Sequence, residues 1–292
     1  MTRASKTKHR LWVAEDGRLG RKTDFLAVEE PLEIRLRAGE EEQTLAITMR
    51  TPGADYELAA GFLYNEGVIN DKDSLYQMTY CVGSDRDRQE YNQLIVQLRA
   101  PRLPELPHLE RHFVTNSACG LCGRASLDAL AEREPAPIPA GPVVAPALLY
   151  SLPDRLRAAQ ALFESTGGLH AAALFTVEGE LLSLREDIGR HNALDKLIGW
   201  GLLNQRLPFH DHLIMVSGRA SFELLQKCLA AGAPIFCAVS APSSLAVTLA
   251  ERFGITLIGF LRGNRFNVYT GLERVEHPAT LEIRRDENNT GD

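Results

Sequence analysis

The second half of the chain repeats one rhythm, and that rhythm leaves few folds open. Apolar runs at 213–216, 235–239 and 256–260 alternate with helical patterns at 221–231 and 243–253. Strands that read as unbroken apolar runs are those covered by helices on both faces. Ahead of them, 171–177 and 181–184 read as a hairpin joined at Glu178-Gly179, and 191–200 as a helix. A hairpin followed by alternating helices and strands predicts an α/β/α sandwich. A helix over 152–163 precedes it, with Pro153 near its first turn and Gly167-Gly168 as its stop.

The first half is different. Leu32, Ile34 and Leu36 alternate with charged residues, as do Leu45, Ile47 and Met49, around an acidic tip at 38–42. That is a β-hairpin with one buried face. Residues 55–66 read as a helix with Gly67 as its stop, and weaker strand signals follow near 75–80 and 94–98. Arg50 and Glu66 are taken as ordinary surface charges. Pro135, Pro137, Pro139, Pro142 and Pro146 mark a semi-rigid linker. The chain therefore divides into a frayed basic N-terminus (1–20), a smaller α+β domain (21–114), a cysteine loop and proline-rich linker (115–147), the α/β/α domain (148–275) and a polar tail (276–292).

Composition narrows the function. A net charge of −6 argues against general nucleic-acid binding, though not against a local basic pocket. No run approaches the roughly 18 apolar residues that span a membrane. The basic start is not followed by an apolar signal segment. With five cysteines, an odd number, the expectation is a reduced, cytoplasmic protein. Cys228 and Cys237 fall in apolar patterns and are expected to be small core residues.

Polar, glycine-bearing residues collect where the apolar strands end. They are Arg185-Glu186-Asp187-Ile188-Gly189-Arg190-His191-Asn192, Ser217-Gly218-Arg219-Ala220-Ser221, Ser240-Ala241-Pro242-Ser243-Ser244 and Arg262-Gly263-Asn264-Arg265. Ligands of open α/β sheets bind beyond the carboxyl ends of the strands. Helix N-termini there suit phosphate, and arginines add bidentate donors. The set points to a phosphate-bearing anionic small molecule. Asp187 and His191, four apart, are a candidate proton-handling couple; the alternative is a helix-start aspartate and a satisfied histidine.

The segment Asn116-Ser117-Ala118-Cys119-Gly120-Leu121-Cys122-Gly123 carries two thiols three positions apart, each followed by glycine. Arg124 and a short helix-forming stretch follow, so a lowered thiol pKa is expected. Three chemistries fit. Structural zinc needs four ligands, and the pair supplies two unless a dimer completes the site. A thioredoxin-like redox pair would follow a strand in a βαβ unit, whereas this pair precedes the linker. The third is a nucleophile that takes sulfur as a persulfide and hands it on.

Residues 117–123, Arg-Glu-Asp-Ile-Gly-Arg-His-Asn-Ala-Leu-Asp-Lys (185–196), Val-Ser-Gly-Arg-Ala-Ser (216–221) and Phe-Leu-Arg-Gly-Asn-Arg-Phe-Asn-Val-Tyr (260–269) resemble the FdhD family of formate dehydrogenase accessory sulfurtransferases. The resemblance implies a cytidine-deaminase-like fold and homodimers. It implies that sulfur comes from a cysteine desulfurase and is delivered to the molybdenum cofactor of formate dehydrogenase. That cofactor, Mo-bis(molybdopterin guanine dinucleotide), is bound as substrate, and guanine nucleotides are expected to mimic it. The resemblance makes Cys119 the persulfide carrier and Cys122 its partner. It assigns Phe260, Leu261, Arg262, Gly263, Asn264 and Arg265 to cofactor binding. Ser217, Gly218, Arg219, Ser243, Arg190 and His191 join them from the phosphate-friendly loops. No resident metal is expected. The zinc motif of true deaminases is missing, and Ala241-Pro242-Ser243-Ser244 stands where their cysteine pair would be, so deamination is rejected. The rival function is a non-catalytic chaperone that holds the cofactor for the dehydrogenase.

Overall fold

The computed structural model describes residues 4–81, 91–105, 114–115 and 136–277. Strands β3 (Glu30–Ala38) and β4 (Glu41–Arg50) form the expected hairpin. Leu32, Ile34, Leu36 and Ala38, at every second position, are all 0% exposed. Helix α1 (Asp55–Asn65) follows, then β5 (Leu75–Tyr80), β6 (Gln93–Leu98) and the short β7 (Val114–Thr115). These five strands make one sheet in the order β5-β6-β3-β4-β7. Leu58, Ala59 and Leu63 of α1 pack on its apolar face.

The second half builds the predicted sandwich. Helices α2 (Pro146–Ala159) and α3 (Ala161–Thr166) precede β8 (His170–Thr176) and β9 (Leu181–Asp187). Then come α4 (Arg190–Leu203), β10 (His212–Val216), α5 (Phe222–Ala230), β11 (Ile235–Ala238) and α6 (Ser244–Phe253). Strands β12 (Thr256–Arg262) and β13 (Arg265–Thr270) close the six-stranded sheet, ordered β13-β12-β11-β10-β8-β9. Helices α4, α5 and α6 cover one face through Leu197, Leu224 and Leu249. Helix α2 covers the other through Leu149, Leu152 and Leu156. Alternate strand residues serve each core: Ile214 and Phe236 face one, Met215 and Cys237 the other.

The two bodies join through α1 and α4. A Cβ on Gly61 would run into the Asp195 carbonyl, and one on Gly199 into the Glu57 carbonyl. Only glycine lets two helix backbones approach this closely. Asn65 Nδ2 and Lys227 Nζ both donate to Asp195 Oδ1, at 2.6 and 2.7 Å. Burial, the largest influence, would lower the Lys227 pKa, but the carboxylates of Asp195, Glu66 and Glu223 together outweigh it and the net shift is upward.

Several expectations need correction. Within the stretch 1–20 expected to fray, residues from Lys6 onward are paired: β1 (Lys6–Glu15) and β2 (Arg18–Ala27) form a full antiparallel register. Cation–π stacking of Arg21 on Trp12 and of Lys6 on Phe25 gives that hairpin its own side-chain support. Pro146, read as linker, begins α2 because a proline without N–H is tolerated at a helix start. The helix expected over 152–163 is two helices, broken at Gln160, with Pro153 inside the first. β9 continues through Arg185, Glu186 and Asp187, and β13 lies where only a loop was expected.

Replacing Gly199 by alanine is expected to cost about 1–3 kcal/mol, because the added methyl meets backbone that cannot rotate away. A urea titration reads this directly. An unchanged midpoint would mean that the helices separate freely.

Candidate functional site

β10, β11 and β12 are mutually parallel, and β9 shares their direction because both it and β10 run antiparallel to β8. The carboxyl ends of all four strands therefore meet at one sheet edge. The four polar stretches sit there together. Phe260 N donates to the Ser240 carbonyl (3.2 Å), Ala220 N to the Ala241 carbonyl (3.2 Å) and Ser243 N to the Ala220 carbonyl (2.9 Å). Backbone bonds thus tie three of the loops into one surface.

Arg190 opens α4, and neither Gly189 nor Ser221 caps its helix with a side chain, so the N–H groups at the starts of α4 and α5 keep that capacity. Gly218 lies against the His170 ring. Arg219, Ser243, Arg262, Gly263, Asn264 and Arg265 are exposed. Arg262 pairs in register with Arg265 across a tight turn in which Gly263 has φ +52°. Among the described residues Arg190, Arg219, Arg262 and Arg265 make no ion pair. Phe260 takes φ +52° at a register break, and this turns Leu261 inward. Leu261 is 0% exposed within the α2-side core, so its side chain cannot touch a ligand as expected. Ser243 also has a structural duty: its Oγ accepts from Ala246 N (3.2 Å) and caps α6. The Ser217 hydroxyl accepts from Ala171 N (2.9 Å), fixing the loop to β8.

Asp187 and His191 do not form the anticipated couple. Asp187 is 0% exposed and pairs with Lys196 (2.6 Å). Its other bonds come from Thr51 N (3.1 Å), Gly189 N (2.8 Å) and Asn192 Nδ2 (3.1 Å). His191 Nε2 instead meets Glu223 Oε2 (2.9 Å), with Ser221 Oγ at 3.4 Å. That hydrogen bond is the main cause that lowers the Glu223 pKa. His170, whose place at the edge follows only from the antiparallel run of β8, is pushed toward the neutral form by burial and then by Arg190 and His191.

The smaller sheet reaches this edge. Arg50, expected at the surface, is 1% exposed and grips Asp55 bidentately at 3.0 and 2.9 Å. The Tyr80 hydroxyl also donates to Asp55 (3.0 Å), and burial pushes its pKa up. Thr51 then uses every polar group on the second body: Ile188 N donates to its Oγ1 (3.2 Å) and Lys196 Nζ to its carbonyl (2.9 Å). Arg185 is bound to Glu57 of α1 (Nη2–Oε1 2.8 Å) and is not available to a ligand. Thr48, Thr51, His170, Lys196 and Glu223 escape prediction because their roles depend on contacts between distant segments.

Cys119 and Cys122 lie outside the described residues. Thr115, four positions before Cys119, pairs with Thr48 of β4. Cys228 and Cys237 are buried as expected, and burial pushes the Cys237 thiol up to about 12.

The sequence pattern of the FdhD/NarQ family matches residues 27–276. The chain belongs to the FdhD/NarQ family. A relative from Streptomyces coelicolor, named sulfur carrier protein FdhD, is 53% identical over 270 residues, spanning 91% of this chain and 94% of its own. One of the same name from Sulfurisphaera tokodaii is 47% identical over 252 residues, spanning 86% and 92%. A crystal structure described as a formate dehydrogenase accessory protein from Desulfotalea psychrophila superposes with a TM-score of 0.71 at 25% identity, covering 94% of this chain and 100% of that one. The α/β architecture is therefore the family's. Among the described residues no helix is long and apolar enough to cross a membrane.

Arg50→Ala leaves Asp55 buried without its cation and is expected to cost about 3–5 kcal/mol. The double change Arg50→Met with Asp55→Leu recovers most of it. Chemical denaturation of both variants checks the sign of the difference.

Proposed function

We propose that this protein is a sulfur carrier of formate dehydrogenase maturation. It accepts persulfide sulfur at Cys119 from a cysteine desulfurase. It passes the sulfur to Mo-bis(molybdopterin guanine dinucleotide), held as substrate at the polar sheet edge. One observation carries the reading. β7 runs parallel to β4, so at Thr115 the chain heads as β4 does, toward Arg50 and Thr51. Those residues abut Asp187 and Ile188 at the edge. Four further residues reach at most about 14 Å, so chain length alone allows Cys119 to serve that edge.

The chemistry balances without an external oxidant. The Cys119 thiolate attacks the outer sulfur of the desulfurase persulfide, the S–S bond there breaks, and the desulfurase cysteine leaves as thiolate. Cys119 now carries the –SH. In the second step the Cys122 thiolate attacks the inner sulfur, and hydrosulfide leaves toward the metal of the substrate. The resulting Cys119–Cys122 disulfide is returned to thiols by a dithiol reductant. Arg190, Arg219, Arg262 and Arg265, with the free N–H groups of α4 and α5, bind and orient the substrate's phosphates. The His191–Glu223 pair, 2.9 Å apart, holds a proton beside them.

Incubation with a cysteine desulfurase and cysteine, followed by intact-mass and peptide analysis, tests the first step. A reductant-labile gain of one sulfur at Cys119 is expected, absent from Cys119→Ser, with Cys228 and Cys237 unmodified. No gain with an active desulfurase would favour the cofactor chaperone. Arg262→Ala combined with Arg265→Ala is expected to load sulfur normally yet bind guanine nucleotide more weakly, measured by calorimetry.

A further inference from the structure

The contact between the two bodies contains one hydrogen bond that the rest of the contact does not need. Asp187, Lys196 and Thr51 already lock the turn before α1 to the turn before α4, with Asp187–Lys196 at 2.6 Å at its centre. Asn192, in the first turn of α4, adds a separate reach toward β4. Its Nδ2 donates to the Met49 carbonyl (2.7 Å) and to Asp187 Oδ1 (3.1 Å). Both of those partners can only accept, which fixes the amide's orientation. Its Oδ1 is then turned to accept from Thr48 Oγ1 at 3.2 Å.

Thr48 is the β4 residue that pairs with Thr115. Together with the bond to the neighbouring Met49 carbonyl, the Thr48–Asn192 bond joins the strand pair from which the cysteine segment departs to the Asp187-Ile188-Gly189 turn that presents the N-terminus of α4. Thr48 is half-buried, and a single bond at that position contributes little to holding the bodies together. With the Met49 bond it sets the register between the strand pair that precedes the thiols and the loops at the sheet edge. Transfer between a tethered group and a bound acceptor depends steeply on that register, since a displacement of about 1 Å can cost about 100-fold.

We infer that Asn192 and Thr48 are positioning residues for sulfur delivery: their hydrogen bond holds the exit of the cysteine-bearing segment in register with the substrate edge. The inference rests on the sulfur-carrier reading. It assigns the bond to the second step, discharge, and not to the first, since a desulfurase approaches the thiol from solution. Neither residue touches the reacting atoms.

The test separates loading from discharge. Native protein, Thr48→Val, Thr48→Ser and Asn192→Ala are each loaded with isotopically labelled sulfur by a cysteine desulfurase. They are then mixed with formate dehydrogenase carrying unsulfurated cofactor. Mass spectrometry follows loss of the label from Cys119 and its arrival on the dehydrogenase. Thr48→Val and Asn192→Ala are expected to load at the native rate and discharge about 10- to 100-fold more slowly. Thr48→Ser, which restores the hydroxyl, is expected to discharge as the native protein does. Thermal melting of each variant accompanies the assay, and Thr48→Ala replaces Thr48→Val if the latter melts early. Native-rate discharge by the hydroxyl-free variant overturns the inference while leaving the carrier reading intact. Equal slowing in Thr48→Ser also overturns it, since packing and not the hydrogen bond would then be responsible. Failure of the native protein to load at all removes the carrier reading, and the inference with it.

Discussion

The Gly61–Gly199 crossing sets the geometry on which the rest depends. Helices are stiff, so the spacing at their crossing fixes the spacing of their ends. α4 buries Leu194, Leu197 and Ile198 in the sandwich core, while Gly199 and Asp195 lie against α1. Because that contact is backbone to backbone, α1 lies flush on α4, with Glu57 of its first turn against Gly199 and Asn65 at its end bonded to Asp195. The turn holding Thr51 can then reach Asp187 at 3.1 Å. A side chain at either glycine would widen the gap and pull Thr51 off the carboxylate. The close crossing and the Thr51–Asp187 contact together hold the two bodies in one arrangement.

The buried polar groups along α4 follow from the same closeness. Asp195 and Lys196 are neighbours in sequence, each 2% exposed, and they point to different partners. Asp195 takes Lys227 and Asn65, whereas Lys196 takes Asp187 and the Thr51 carbonyl. Such pairs add little net stability, because desolvation offsets much of the Coulomb attraction. Their effect is specificity: only one docking of the two bodies satisfies every donor and acceptor at once.

Much of this was legible in the sequence, and what was not has a physical cause. Strands β8, β10, β11 and β12 and the helices between them follow from apolar runs and periodicity, which are local. The convergence of Arg190, Ser217, Arg219 and Arg262 follows too, because parallel strands must end on one edge. The burial of Leu261 is not legible, since a motif read as a string gives no side: the register break at Phe260 sends Leu261 into the core. Arg50 looked like a surface charge because its partner Asp55 lies across a turn that periodicity does not describe. Asp187 and His191 had the spacing of a helical pair, but Asp187 belongs to β9 and His191 to α4, so the spacing never applied. The β1–β2 hairpin leaves little trace in the sequence because both its faces are largely exposed.

The same topology constrains what the edge can hold. Arg190 follows β9 and Arg262 ends β12, and in the sheet order these strands lie four steps apart. At about 4.8 Å per step the two ends are roughly 19 Å apart. A lone phosphate cannot bridge that distance, and neither arginine gains from one bound at the other. Elsewhere the chain pairs its buried cations closely, as at Arg50, Lys196 and Lys227, but it leaves these edge arginines without carboxylates among the described residues. Arg190 and Arg262 repel one another only weakly at that separation, whereas Arg262 and Arg265, register partners across one turn, stand close enough to share an anionic group. The gain comes only with a ligand whose anionic groups are themselves spread over a comparable length. An extended dinucleotide has that property. A mononucleotide would satisfy one end of the edge and leave the other to solvent.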